Sequence, residues 1–112
     1  MMRPLLLCML LSACGEHIEQ VNIVDRHQHP SALLRRRDGI KDGPVTLFRS
    51  DGTIKTRGQY RDDRREDWWR TYHTDGSCRS LTRYSHGLKD GARIYWDSLG
   101  RPMRAEVFVN GV

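Results

Sequence analysis

Through the last two-thirds of the chain, aromatic and aliphatic residues fall at alternate positions in short runs, and the runs themselves recur. A shift of 24 residues superimposes Phe48 on Tyr72 and Trp96, and Tyr60 on Tyr84 and Phe108. The same shift superimposes Gly52 on Gly76 and Gly100, Gly39 on Gly87 and Gly111, and Asp42 on Glu66 and Asp90. Alternation with a period of two is the mark of a β-strand with two distinct faces. The longer period describes supersecondary units that cannot bury a core alone and must stack on their neighbours. The pattern predicts an all-β fold: an elongated, twisted antiparallel sheet of consecutive hairpins, with about three repeats.

Each unit reads as two strands and two turns. Asp51-Gly52 and Asp75-Gly76, with Leu99-Gly100 in the third copy, are hairpin signals, because glycine adopts positive φ without steric cost. Longer turns are expected between units, from Gly39 to Gly43 and from Gly87 to Gly91, with Gly111 opening the next. The middle unit carries Asp63 and Asp67 where its neighbours carry glycine, which makes that junction the weakest. Alternation places Phe48, Tyr72 and Trp96 on one face with Trp68 and Arg70. It places Tyr60, Tyr84 and Phe108 on one face with Ile54, Cys78 and Pro102. Stacked rung on rung, these give aromatic columns, each cross-strand pair contributing about 0.2–1 kcal/mol. Of the adjacent pair Trp68-Trp69, Trp68 is expected to join the column beside Tyr72, and Trp69 to project from the opposite face.

The amino terminus has a different character. Arg3 is followed by the apolar run Leu5 to Leu11, then Ser12, Ala13 and Cys14. This is the layout of a secretion signal, and it is too short for the ~20 residues that span a bilayer. Leu11-Ser12-Ala13-Cys14 resembles the lipobox of bacterial lipoproteins, which implies cleavage after residue 13 and acylation of Cys14. Gly15 after the cysteine is compatible with sorting to an outer membrane. The expected organisation is a signal peptide over 1–13, a lipidated polar tether over 14–31 and a repeat domain over 32–112, with Glu19 to Val24 able to add a short strand. Cys8 leaves with the signal and Cys14 is lipidated, so Cys78 stays without an internal disulfide partner.

The formal charge of +5 is modest. On an exported, lipid-anchored protein it points to acidic protein surfaces, anionic glycans or phospholipid headgroups rather than to nucleic acid. The sequence holds no Gly-x-Ser-x-Gly, no phosphate loop and no cysteine and histidine set with zinc spacing. His27 and His29 read as solvated histidines, and no metal or cofactor is expected. Asp62 with Asp63 and Glu66 with Asp67 bracket Arg64 and Arg65, and charge balance in a turn accounts for them. No catalytic residue is assigned. Trp68, Trp69, Arg70 and Arg93 are the candidate binding residues, because tryptophan flanked by arginine is a frequent composition for a protein interface.

Gly39-Ile-Lys-Asp-Gly43 with Leu47-Phe48 and Asp51-Gly52, and Gly87-Leu-Lys-Asp-Gly91 with Tyr95-Trp96, resemble MORN repeats, in particular the variant found in bacterial YwqK-type antitoxins. The resemblance covers about residues 35 to 112. It implies a sheet of consecutive hairpins that acts through a binding surface, with a toxin as a candidate partner. The expected function is a non-enzymatic, membrane-anchored binding or scaffold lipoprotein on the periplasmic face of the outer membrane. A module for envelope lipid or glycan is the alternative, and self-association through the C-terminal sheet edge is a further expectation.

Overall fold

In the computed structural model, residues 16–112 are described. The signal segment, Cys8 and the acylation expected at Cys14 lie outside the described residues. Eight strands follow one another: β1 (Ile18–Val24), β2 (Pro30–Arg37), β3 (Ile40–Phe48), β4 (Ile54–Arg61), β5 (Arg64–Tyr72), β6 (Cys78–Ser85), β7 (Leu88–Trp96) and β8 (Pro102–Phe108). They form a single sheet in sequence order in which each strand pairs antiparallel with the next. The sheet measures 48 × 34 × 18 Å, so it is one layer with side chains on both sides.

Two kinds of connection alternate, and they are the reverse of the sequence expectation. Asp38-Gly39, Asp62-Asp63 and His86-Gly87 form the tight two-residue turns, with φ of 51° and 81°, 50° and 71°, and 54° and 86°. Positive φ at both central residues is the type I′ geometry, whose twist matches that of the strands it joins. Gly52, Gly76 and Gly100 sit instead in wider loops over 49–53, 73–77 and 97–101, closed by N–H to C=O bonds from Arg49 to Thr53, His73 to Ser77 and Asp97 to Arg101. Gly43, Asp67 and Gly91, with φ of 110°, 66° and 105°, lie inside strands, where the register shifts opposite them form bulges. A glycine signal reports positive φ, but a turn and a bulge both supply that condition.

Residues Glu16–Ser31, expected as a tether, are part of the sheet. β1 pairs along its length with β2, from Ile18 opposite Arg37 to Val24 opposite Pro30. The loop 25–29 repeats the wide-loop geometry, with the Asp25 N–H donating to the His29 carbonyl and Gln28 at φ 67° in the place of Gly52. The repeat thus begins with β1, upstream of Ala32, and carries Gln28 where the later units carry glycine.

Unit is tied to unit by bonds that recur with the period. The backbone N–H groups of Asp63, Gly87 and Gly111 donate to the carbonyls of Lys41, Arg65 and Lys89. Glu66 accepts from the His86 N–H at 2.9 Å and Asp90 from the Asn110 N–H at 3.2 Å. Arg49 donates to the Tyr72 carbonyl, and His73 Nε2 donates to the Trp96 carbonyl at 3.0 Å. In the middle unit, Asp63 and Asp67 hold the positive φ that glycine takes elsewhere. Asp67→Gly is therefore expected to raise stability by about 0.5–1 kcal/mol in chemical denaturation.

The wide loops are also where the fold senses acid. Asp51 accepts both the N–H and the hydroxyl of Thr53, and Asp75 does the same with Ser77. Asp97 accepts the N–H groups of Leu99 and Arg101, and Asp25 those of His27 and His29. Bonds to the charged form hold these carboxyls below the ordinary aspartate value of 3.8: first the Thr53 and Ser77 hydroxyls for Asp51 and Asp75, and the Arg101 and His29 N–H groups for Asp97 and Asp25. A carboxyl depressed in the folded state contributes stability above its unfolded pKa and loses it as pH falls through the folded value. The melting temperature is expected to be level from pH 7 to about 5 and to fall below about pH 4. Asp51→Asn with Asp75→Asn flattens part of that slope in a calorimetric pH series.

Candidate functional site

The inner face carries the core. Leu34, Val45 and Trp69 are buried together, with Val21, Leu47, Tyr60 and Tyr84 packed around them. Trp69 is 3% exposed and lies between Tyr60 and Tyr84 in edge-to-face contacts, with ring centroids 5.2 and 6.2 Å away. Its indole N–H donates to the Gln59 carbonyl at 3.1 Å, and the Arg65 guanidinium lies 4.4 Å from its ring centroid. Arg65 also donates to the Tyr84 hydroxyl at 3.0 Å. The same stacking recurs with the period, Lys41 lying over Tyr60 and Lys89 over Phe108. Long cationic side chains thereby cover aromatic rings that a one-layer sheet leaves without a second layer.

Two of the four candidate binding residues belong to this face. Trp69 is a core residue, not a projecting one. Arg93 pairs with Glu106 at 3.1 Å and lies over the rings of Tyr95 and Phe108, so its charge and its stem are both engaged. The expected aromatic grouping fails for the same geometric reason. A bulge beside Phe48 and its repeat beside Tyr72 and Trp96 put Ile54, Cys78 and Pro102 opposite those aromatics, while Tyr60, Tyr84 and Phe108 pair into the other face. One extra residue inverts every side chain beyond it.

Trp68 and Arg70 lie on the outer face, and there the structure assembles a surface. Arg57 stands directly opposite Arg70 across β4 and β5, and Trp68 stands opposite Arg83 across β5 and β6. Trp68 is 41% exposed, and the Arg83 guanidinium lies 5.9 Å from its ring centroid. Arg57, Gly58, Gln59, Asp67, Trp68, Arg70 and Tyr72 line a shallow depression of about 270 Å³. Among the described residues, Arg57, Arg70 and Arg83 form no ion pair within 4.0 Å. Like charges directly opposite across a sheet oppose folding. Sequence reading found Trp68 and Arg70 but missed Arg57 and Arg83, because cross-strand partnership depends on bulge positions that the period does not reveal.

The paired carboxylates are occupied by structure. Asp62 and Asp63 form a tight turn, Glu66 accepts the His86 N–H, and Asp67 holds a bulge. His27 and His29 flank the loop built on Asp25, and no group of three or more His, Cys, Asp or Glu that could hold a metal ion occurs among the described residues. Cys78 is free and half-buried, its thiol 3.5 Å from the Ser80 carbonyl. No described helix is long and apolar enough to cross a membrane. No protein-family model matches the chain, and no curated protein is significantly similar to it in sequence.

Proposed function

We propose that this chain is a non-enzymatic binding module, anchored to the outer membrane through an acylated Cys14, that docks an acidic protein surface on its outer face. The observation that carries the reading is the Arg57, Arg70 and Arg83 cluster around exposed Trp68, with no carboxylate paired to any of the three among the described residues. An exposed tryptophan beside arginines is the composition of an interface hot spot, and unpaired arginines select partners by charge. The repeat resemblance makes a toxin the first candidate partner, and this chain then serves as its immunity-like protein. The occupied carboxylates and the single-layer architecture support a binding role over a catalytic one.

Crosslinking capture from native membranes tests this, comparing the wild type with Arg57→Glu/Arg70→Glu and with Trp68→Ala. One stoichiometric protein, lost in both variants and weakened by salt, is the expected result. Recovery of only lipid or glycan, equal in all three, transfers the function to an envelope ligand. In the same cells, Cys14→Ser is expected to release the protein from the membrane fraction and to abolish palmitate labelling.

A further inference from the structure

The inner face holds a second surface that protein docking on the outer face does not use. Thr56, Ser80 and Thr82 are 8, 7 and 7% exposed, an unusual set of hydroxyls to bury in a sheet. The Ser80 hydroxyl is bonded to that of Thr71. The Thr56 and Thr82 hydroxyls bond to no other protein group among the described residues, yet neither is sealed from solvent. All four line one depression of about 280 Å³, which continues into a neighbouring one of about 200 Å³ against Trp69. Open to water and engaged by no protein group, both hydroxyls are free to bond a ligand that displaces that water.

The rim and the walls narrow the chemistry. Lys55 and Arg79 occupy the same repeat position on β4 and β6 and form no ion pair among the described residues. Each is the extra residue of a bulge, so both turn toward this face instead of alternating away. Their strands are about 10 Å apart across the sheet, a span that two side chains of this length can close around one phosphate. Tyr84 and Tyr95 complete the walls. Hydroxyl donors and acceptors at strand spacing, aromatic rings and a cationic edge together match a ring bearing hydroxyl groups and one anionic substituent. We propose that this trough binds a phosphorylated sugar, with the ring over Thr56 and Thr82 and the phosphate at Lys55 and Arg79.

Titration of the full-length protein by NMR and calorimetry at fixed salt tests the assignment, with glucose 6-phosphate, glucose and inorganic phosphate as probes. Saturable binding of glucose 6-phosphate at least tenfold tighter than of either partial probe is expected. Thr82→Val and Arg79→Ala should each weaken it tenfold or more, Thr82→Ser should restore it, and Arg57→Glu/Arg70→Glu should leave it unchanged. Binding of inorganic phosphate as tight as that of the sugar phosphate overturns the proposal, as does indifference to Thr82→Val. Loss of binding only in the Arg57→Glu/Arg70→Glu variant places the ligand on the outer face instead, so failure here and failure of protein docking give different results.

Discussion

Trp69→Ala is expected to lower the unfolding free energy by about 3–5 kcal/mol, while Trp68→Ala one residue away costs less than about 1 kcal/mol. The contrast follows from a single step of strand alternation. Trp69 is 3% exposed and holds together contacts from three strands: Tyr60 on β4, Arg65 on its own strand and Tyr84 on β6. A domain of this size has a total stability of roughly 5–15 kcal/mol, and with a core of only Leu34, Val45 and Trp69 it belongs toward the lower end. Loss of the indole therefore leaves the middle of the sheet close to unfolding. Trp69→Phe separates packing from hydrogen bonding. It keeps a ring between the tyrosines but leaves the Gln59 carbonyl without its donor, beside a bulge where the strand ladder is already interrupted. A cost of about 1–3 kcal/mol is expected for that orphaned group and the smaller ring. Urea denaturation followed by far-ultraviolet circular dichroism measures all three variants. A Trp68→Ala loss equal to that of Trp69→Ala contradicts the assignment of faces.

How much of this was legible in the sequence depended on which residue carried the signal. The period was visible because Gly52, Gly76 and Gly100 mark it, and it led to a meander of hairpins. Asp63 and Asp67 stand at positions where the repeat asks for the glycine conformation, and both have positive φ. The first unit is legible only as a short strand that Glu19 to Val24 can add to a tether, because Gln28 occupies its glycine position and the alternation in Ile18 to Val24 is weak against polar neighbours. The assignment of faces failed for a different reason. Bulges at Gly43, Asp67 and Gly91, and beside the wide loops, each change which residues oppose each other without changing the 24-residue spacing of the repeat. Period is conserved by an insertion present in every unit, whereas face is not. Of the candidate site, Trp68 and Arg70 emerged from composition alone. Their partners Arg57 and Arg83 required the register, and the recruitment of Trp69 to the core required knowing where Gly58 sits.

Gly58→Ala is the second large effect, and it tests that last relationship directly. Glycine within a strand interior weakens it, so its presence at the centre of β4 needs a cause. A methyl group at position 58 would lie 2.6 Å from Cε3 of Trp69 and closer still to Cδ2 and Cε2. The obstruction is a ring held by two tyrosines, a guanidinium and a hydrogen bond, not the tip of a mobile side chain. Moving it breaks those contacts together, so a loss of about 2–3 kcal/mol is expected, at the upper end for an overpacked site. The repeat itself supplies the compensating change. One unit earlier the equivalent positions are Leu34 and Val45, which pair across β2 and β3, and the Gly58 and Trp69 combination divides a similar volume the other way. Gly58→Leu with Trp69→Val should therefore be more stable than Gly58→Leu alone and than Trp69→Val alone, with a coupling energy above about 1 kcal/mol. Additive losses in this cycle would mean that the glycine serves the backbone rather than the indole. Strong coupling would show that one unit of the repeat exchanged two aliphatic residues for a tryptophan and the space to seat it.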